Sequence, residues 1–150
     1  MADTPEPAQT LAERAVEALY ATDRATQALG MRIVAVAPGA CTVEMAVRAE
    51  MTNGLGTCHG GILFTLADSA FAFACNSEGK ATVAASASID FLEAAQAGDV
   101  LTAAARGLWT GGRSGIYEIT ITNQHGARIA FFRGRSHRLS ERRALTEVAP

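Results

Sequence analysis

Residues 60–77, GGILFTLADSAFAFACNS, decide the fold of this chain. Thirteen of these eighteen residues are apolar or glycine, and Asp68 is the one that carries a formal charge. The charge-free region extends further, because no other Asp, Glu, Lys or Arg stands between Glu50 and Glu78. A helix that is apolar nearly all round is buried on most sides. The sequence therefore predicts a long central helix over about residues 60–77, enclosed by the rest of the chain.

Segments with a period of two flank this helix on both sides. At 41–50 apolar residues alternate with polar ones, which predicts a strand with one buried face. Pro38-Gly39 predicts a hairpin that joins it to a strand at 31–37. After the helix, further strands are predicted at 83–91, 99–109, 115–123 and 128–138, with turns at Ala97-Gly98-Asp99, Gly111-Gly112 and Gln124-His125-Gly126. This order predicts an α+β fold in which a curved antiparallel sheet wraps around the central helix.

The N-terminal part of the sequence predicts a separate helix. TLAE at 10–13 fits a capping box, which predicts a helix from Thr10 to about Leu29, and Gly30 is a natural left-handed stop. Residues 1–9, rich in proline, alanine and acid, are expected to be a mobile N-terminus. We expect one domain over 10–140 and a mobile tail over 141–150.

Composition excludes several classes of protein. The chain has 150 residues, of which 49% are hydrophobic and 19% charged, enough for one globular domain with a real core. A net charge of −2 argues against a nucleic-acid or membrane-surface binder. The apolar helix is too short for a bilayer, and no signal peptide is visible. Three widely spaced cysteines show no metal-ligand spacing, so we expect reduced thiols in a cytoplasmic protein without metal or cofactor.

Asp68 is the first candidate for chemistry. Burial of an isolated carboxylate is costly, and its pKa responds to the apolar surroundings. This predicts a general base or a nucleophile. The alternative is that Asp68 occupies the one exposed stripe of the helix.

His59-Gly60-Gly61 at the helix start is the second candidate. Backbone N–H groups of a first helical turn have no partner inside the helix, and glycine lets a substrate approach them closely. A carbonyl oxygen placed there would develop negative charge against waiting donors. The alternative is a tight strand-to-helix turn that needs glycine.

The spacing of these two candidates predicts a shared site. Asp68 follows Gly60 by eight residues, which is ~12 Å along a helix axis. A reacting group must lie about 3 Å from both the base and the oxyanion donor. Two antiparallel copies of the helix can satisfy this, whereas one copy cannot easily do so. The chemistry therefore predicts a homodimer with sites at its interface.

Arginine-rich segments are candidates for binding phosphates. TGGRSGIY, residues 110–117, places Arg113, Ser114 and Gly115 in a turn whose N–H groups could form a nest for an anion. In FFRGRSHR, residues 131–138, the period of two puts Arg133 on one strand face with Arg135 and His137. The alternative for that row is a solvated sheet edge, where charge discourages aggregation.

Three segments carry a resemblance to a known family. They are NGLGTCHGGILFTLADSAFAFACNS at 53–77, ASASIDFL at 85–92 and GDVLTAAA at 98–105. They resemble the hotdog-fold acyl-CoA thioesterases, and within these the phenylacetate-degradation group. By this resemblance, Asp68 holds the catalytic carboxylate position, Gly60 the backbone donor to the thioester carbonyl, Asn53 a polar position near the nucleophile or water, and His59 the motif histidine that helps to hold the loop.

The resemblance also implies an activity and an assembly. The activity is hydrolysis of acyl-CoA thioesters, phenylacetyl-CoA or hydroxyphenylacetyl-CoA in aromatic catabolism. Arg113, Ser114, Gly115 and Arg133 are then expected on the CoA side. The assembly is a homodimer with one continuous sheet, paired into a homotetramer. The alternative is a non-catalytic acyl-CoA-binding module of the same fold.

Overall fold

The structure of the protein is a computed structural model that describes residues 6–139. The predicted tail at 141–150 and the first five residues of the predicted mobile N-terminus lie outside this range. The elements in chain order are α1 (Ala8–Thr22), α2 (Arg24–Ala28), β1 (Arg32–Ala37), β2 (Ala40–Ala46), a 3-10 helix (Ala49–Met51), α3 (Gly60–Asn76), β3 (Thr82–Phe91), β4 (Val100–Gly111), β5 (Ser114–Thr122) and β6 (Arg128–Arg138).

Six strands form one antiparallel sheet in the order β1-β2-β4-β5-β6-β3. α3 packs against the inner face of this sheet and touches every strand from β2 to β6. The predicted fold class, an antiparallel sheet wrapped around a long central helix, is confirmed. None of the helices in the range 6–139 is both long enough and apolar enough to cross a bilayer.

The core lies between α3 and the inner face of the sheet. Ten of the seventeen residues of α3 are buried, which explains a helix that is apolar nearly all round. β2 and β5 each bury one residue in two, as the period of two predicted. The alternation at 83–91 does not produce a buried face, because β3 is an edge strand and its residues are exposed or half-buried. The largest fully buried side chains of the sheet are Met45, Leu101, Ile119, Ile121, Ile129 and Phe132.

The helix approaches the sheet closely at Gly134. A Cβ atom at this position would lie 2.7 Å from Cε1 and Cζ of the Phe71 ring. That ring is also held from the sides, with its centroid 5.4 Å from that of Tyr117 and 6.0 Å from that of Phe132. Gly134 is therefore required by close approach and not by an unusual backbone angle.

Gly134→Ala is expected to lower the free energy of unfolding by about 1–3 kcal/mol, because the added methyl group overpacks a core that has no room to give. Chemical denaturation at equilibrium measures the effect. Gly54→Ala is the control, since no atom lies within 4 Å of a Cβ added there, and it should stay within ±0.5 kcal/mol of the parent. Phe71→Leu in the Gly134→Ala background should recover part of the loss. Equal stability of Gly134→Ala and the parent would contradict the close approach.

The N-terminal prediction needs two corrections. α1 begins at Ala8, so the predicted boundary of the mobile N-terminus after residue 9 is too late, and the capping box at Thr10 does not form because Pro7 holds the N-cap position without a side-chain cap. The start is fixed instead by Gln9, whose Nε2 donates to Glu13 Oε1 (2.7 Å) and to the Val36 carbonyl (2.8 Å).

The single predicted helix also divides into two. Asp23 ends α1 and caps α2, because its side chain accepts the Thr26 N–H at 3.0 Å. Gly30 adopts the expected left-handed backbone, with φ of 69°. A third correction concerns the strand predicted at 41–50. It ends at Ala46, since the Val47 N–H turns to the Asp99 carbonyl and residues 49–51 close a 3-10 turn.

Candidate active site

Asp68 lies half-buried on α3 and faces a cavity of about 480 Å³. Burial raises the pKa of its carboxyl group, and the negative charge of Asp23 raises it further. Its carboxylate accepts no hydrogen bond from residues 6–139, so both oxygens are available to a water or a substrate. The other residues that line this cavity are mainly apolar or small: Ala18, Leu19, Thr22, Asp23, Phe71, Ala72, Asn76, Ala81, Thr82, Val83, Ala84 and Leu139.

The first turn of α3 presents a free backbone donor. His59 caps the helix, and its Nδ1 accepts the Gly61 N–H at 2.9 Å, so a neutral imidazole carries its proton on Nε2. The Gly60 N–H finds no acceptor among residues 6–139. A Cβ atom at Gly60 would lie 3.1 Å from Cζ of Phe91. The turn thus offers one unpaired N–H at the positive end of the helix dipole, beside an aromatic ring.

Asn53 organises the loop that leads into this turn. Its Oδ1 accepts the N–H groups of Leu55 (2.9 Å) and Thr57 (3.2 Å), and its Nδ2 donates to Thr57 Oγ1 at 3.1 Å. Asn53 and Gly60 line one cavity of about 350 Å³. The structure therefore brings two of the predicted site residues together, with Asn53 fixing the loop around the Gly60 donor.

A single chain does not bring Asp68 to Gly60. The cavity at Asp68 and the cavity at Gly60 share no lining residue. Eight residues of helix, ~12 Å, separate the two groups along α3. β3 connects the two places, because Val83 lines the first cavity and Phe91, at its other end, lines the second.

Arg113, Ser114 and Gly115 meet in a third cavity, of about 220 Å³, at the β4–β5 turn. Gly112 permits this turn through a φ of 58°. Arg113 makes no ion pair with the described part of the chain. Its guanidinium group is thus available for an anion, beside the N–H groups of the turn.

The sequence did not single out two other residues of this third cavity. Arg138 lines it and pairs with Glu78, with 3.4 Å between Nη2 and Oε2. Tyr117 lines it too, and burial, reinforced by electrostatic interaction with Cys75 and Glu78, raises the pKa of its hydroxyl group to about 12. Arg138 belongs to the FFRGRSHR segment but is out of phase with the row formed by Arg133, Arg135 and His137, so the period of two gave no signal for it.

Arg133 lies elsewhere. It shares the outer face of the sheet with Arg135 and His137, as the period of two predicted, but that face points away from α3. Its neighbour across the sheet is Glu118, which is already paired with Arg106 at 2.8 Å. The geometry of one chain therefore does not support a common phosphate site for Arg133 and Arg113.

The three cysteines are buried and free. Burial raises the pKa of the Cys41 and Cys75 thiols to about 12, and burial together with the charge of Asp99 raises that of Cys58. None is suited to act as a thiolate nucleophile. Within residues 6–139, no group of three His, Cys, Asp or Glu side chains could hold a metal ion.

A long central helix inside a curved, six-stranded antiparallel sheet is the hotdog fold of thioester hydrolases. Residues 55–130 match the Thioesterase superfamily, and the chain belongs to that family. It is an acyl-CoA thioesterase.

The chain is similar to several known proteins. It is 49% identical over 122 residues to the acyl-coenzyme A thioesterase PaaI of Escherichia coli K12, which covers 81% of this chain and 87% of the relative. The structure of the E. coli PaaI protein, from the phenylacetic acid degradation operon, superimposes with a TM-score of 0.88 at 46% identity, over 89% of this chain and 97% of that one.

Two more distant structures contain coenzyme A or its acetyl ester. A Streptococcus mutans UA159 protein bound to acetyl-CoA matches with a TM-score of 0.72 at 26% identity, over 75% of this chain and 91% of that chain. A hypothetical thioesterase of Streptococcus pneumoniae TIGR4 with coenzyme A matches with a TM-score of 0.72 at 28% identity, over 75% and 88%.

Proposed function

We propose that this chain hydrolyses CoA thioesters of arylacetic acids, phenylacetyl-CoA or hydroxyphenylacetyl-CoA, in a site shared by two copies of the chain. Similarity to a thioesterase encoded in a phenylacetic acid degradation operon supports the acyl group. The cavity beside Asp68 supports it as well, since Leu19, Phe71 and Val83 give it largely apolar walls.

The observation that carries the proposal is the separation of the base from the donor. Asp68 and the Gly60 N–H open into different cavities of one chain, yet a thioester carbonyl must meet both. A second copy in antiparallel orientation places its Gly60 beside Asp68 of the first. By two-fold symmetry this arrangement creates two identical sites.

The edge strand β3 supports such a dimer. It stands at the end of the sheet with ten residues, of which Asp90 alone is charged, and its side chains are mostly exposed on both faces. A long uncharged edge is a template for pairing with another strand. The opposite edge, β1, is shorter and is tied to α1 by the Gln9 side chain at the Val36 carbonyl. We therefore place the dimer contact at β3, so that the two sheets become continuous.

A pair of dimers forming a tetramer is the second part of the proposed assembly. Leu108 and Trp109 support it, because they are exposed at the end of β4, with 44% and 57% of their surface accessible. Sedimentation velocity distinguishes a dimer from a tetramer.

In the proposed reaction the thioester oxygen accepts the Gly60 N–H, which stabilises the negative charge that develops on it. Asp68 of the facing copy takes a proton from water, and the hydroxide adds to the carbonyl carbon. Collapse of the tetrahedral intermediate breaks the C–S bond, and the proton passes to the CoA thiolate. In the alternative route Asp68 itself attacks the carbonyl carbon, the C–S bond breaks, and the products are a mixed anhydride and the CoA thiolate. Water then hydrolyses the anhydride to the free acid and the Asp68 carboxylate, and the proton released passes to the thiolate. The raised pKa of Asp68 favours either role, because a more basic carboxylate is a better base and a better nucleophile.

A panel of acyl-CoA esters with measured thiol release tests this function. We expect kcat/KM to be highest for phenylacetyl-CoA and its hydroxylated forms. A straight-chain ester preferred by about tenfold or more, which is what a pocket shaped for another acyl group would produce, would overturn the proposed acyl group. Absence of thiol release with every ester would overturn the activity itself.

Arg113→Ala is expected to raise KM for CoA esters by about tenfold while kcat stays nearly constant, because a charge-assisted phosphate contact far from the carbonyl contributes uniform binding. Steady-state kinetics measure both constants. The increase should disappear with N-acetylcysteamine thioesters, which lack the nucleotide. Arg106→Ala, on the outer face and paired with Glu118, is the control and should keep the parental KM. An unchanged KM for Arg113→Ala would remove this residue from the CoA site.

A further inference from the structure

Asp23 stands between α1 and α2 and is held by two hydrogen bonds. Its Oδ1 accepts the Thr26 N–H at 3.0 Å, and its Oδ2 accepts the Thr26 hydroxyl at 2.7 Å. Thr26 itself is fully buried. Hydrogen bonds to both carboxylate oxygens thus fix the position of Asp23.

The hydrogen bonds continue into the central helix. Thr26 Oγ1 lies 2.8 Å from Ser69 Oγ, in a buried contact between α2 and α3. Ser69 is the residue next to Asp68. Because Thr26 Oγ1 donates to Asp23, the Ser69 hydroxyl donates to Thr26, and the chain runs from Ser69 through Thr26 to Asp23. This chain ties the turn of α3 that carries Asp68 to the junction of the two N-terminal helices.

Asp23 also faces the same cavity as Asp68. The residues that α1 and β3 contribute to this cavity carry no charge: Ala18, Leu19, Thr22, Thr82, Val83 and Ala84. From α3, Cys75 is the other titratable group that interacts with Asp68. Within residues 6–139, Asp23 is therefore the one carboxylate that shares the cavity with Asp68.

We propose that Asp23 is a positioning residue for Asp68: it anchors the Asp68 turn through Thr26 and Ser69, and it places a second negative charge in the cavity that Asp68 faces. The inference rests on the proposed function of Asp68 in hydrolysis. The charge of Asp23 disfavours ionisation of Asp68. The ionised Asp68 carboxylate is therefore more basic than it would be without Asp23.

Asp23→Asn separates the charge from the anchor. Asparagine is as good an N-cap as aspartate, so its Oδ1 can still accept the Thr26 N–H. Its amide can donate to Thr26 Oγ1, which then donates to Ser69. Glu17→Gln is the matched control, because Glu17 is an exposed carboxylate on α1 that does not line the cavity. Thr26→Val is the complementary variant, since it keeps the charge of Asp23 and removes the hydroxyl that links it to Ser69.

The first measurement is the pH profile of kcat/KM for phenylacetyl-CoA. Asp68 must be ionised to act, so activity rises with pH through its pKa, and removal of a neighbouring negative charge lowers that pKa. We expect the acid limb of Asp23→Asn to lie at lower pH than that of the parent and of Glu17→Gln. We expect its kcat on the plateau to fall about twofold to fivefold, as a weaker base implies. For Thr26→Val we expect kcat to fall about fivefold at constant KM, which corresponds to the loss of one ordinary hydrogen bond.

The second measurement does not depend on turnover. The ¹³C signal of the Asp68 carboxyl, identified by its absence in Asp68→Asn, is titrated in the parent and in Asp23→Asn. A lower midpoint in Asp23→Asn supports the inference, and equal midpoints overturn it even if the enzyme hydrolyses phenylacetyl-CoA as proposed. Parental kcat in Thr26→Val overturns the anchoring role. If the acid limb of the parental pH profile does not follow the titration of Asp68, the proposed function of Asp68 is overturned. The NMR comparison of the parent with Asp23→Asn then still decides whether Asp23 acts on Asp68.

Discussion

Asp68→Asn should lower kcat for phenylacetyl-CoA by about two orders of magnitude or more, since loss of a general base costs ~10²–10⁴ in rate. The substitution keeps the shape of the side chain and removes its charge and basicity. Asp68 donates to or accepts from no residue in the described range, so no internal hydrogen bond is lost with it. Thiol release under saturating substrate measures the effect, and Glu17→Gln serves as the charge-matched control with parental kcat.

Asp68→Asn is also expected to change the thermal stability of the protein, because burial makes the ionised carboxylate of Asp68 unfavourable in the folded state. Burial raises the pKa of Asp68 in the folded chain above its unfolded value, so the folded state binds this proton more tightly. The parent therefore loses stability as pH rises from the ordinary carboxyl pKa through the raised one. Asp68→Asn has no such loss, and its Tm should exceed that of the parent near pH 7 and approach it at low pH.

Parental turnover in Asp68→Asn would refute the catalytic role of this residue. A fall in kcat together with a lower Tm at all pH values would indicate misfolding in place of lost chemistry. The two readouts together separate these cases, because catalysis and stability are expected to move in opposite directions at neutral pH.

Mixed dimers of Asp68→Asn and Gly60→Pro should regain activity that neither variant has alone. Each homodimer lacks one group in both of its sites, and removal of an oxyanion donor costs about 10²–10³ in kcat. In a mixed dimer one site inherits both lesions, while the other takes its donor from the first chain and its carboxylate from the second. Statistical refolding makes about half of the dimers mixed with one intact site each, so about a quarter of the parental activity is expected.

The structure indicates that Gly60→Pro is a usable variant. Proline is favoured at the first position of a helix and removes the N–H there. His59, which precedes it, has the extended backbone that a residue before proline adopts, with φ −62° and ψ 133°. Gly60→Ala is the control, because it adds the same Cβ atom against Phe91 and keeps the N–H. The added Cβ meets the far end of the Phe91 side chain at 3.1 Å, so a shift of that ring by a few tenths of an ångström accommodates it, and Gly60→Ala should retain most of the activity.

Co-refolding followed by thiol-release assays measures the rescue. Gly60→Pro must first form native-like dimers by circular dichroism and sedimentation. If it does so, and mixed samples stay as inactive as the separate homodimers, the two-chain site is refuted.

The sequence predicted the sheet and the central helix because each is specified by a local pattern. The alternation of Cys41, Val43 and Met45 reports one buried face, and the turns at Gly98, Gly112 and Gly126 all adopt the positive φ that glycine permits. Such signals do not depend on distant parts of the chain. The six strands were therefore found with errors of only a few residues at their ends.

Features that depend on tertiary contacts could not be predicted from local patterns. Asp23 interrupts a pattern that reads as one helix, and only its bonds to Thr26 and the contact of Thr26 with Ser69 explain the break. Arg133 was predicted on the CoA side together with Arg113, from the period of two in FFRGRSHR. That period places Arg133, Arg135 and His137 on the exposed face of β6, but it does not show that Arg133 lies outside the cavity lined by Arg113.

The separation of Asp68 from Gly60 was predictable, since it follows from the rise of a helix. It was not predictable that Asp68 and Gly60 would each line a cavity. Leu19 and Leu139 approach Asp68 from opposite ends of the described chain, and no periodicity records that contact. The walls of the Asp68 cavity therefore became known only with the structure.

The contact between Phe71 and Gly134 limits how this enzyme can diverge. Phe71 packs against Gly134 on one side and lines the Asp68 cavity on the other. A lineage that replaces Gly134 by a larger residue must first accept a smaller side chain at 71, and that exchange widens the Asp68 cavity, in which we propose that the acyl group binds. Selection on folding and selection on substrate choice therefore act on the same pair of positions. Among descendants of such a sequence, the two sites should change together, and a shift in acyl preference should accompany the change.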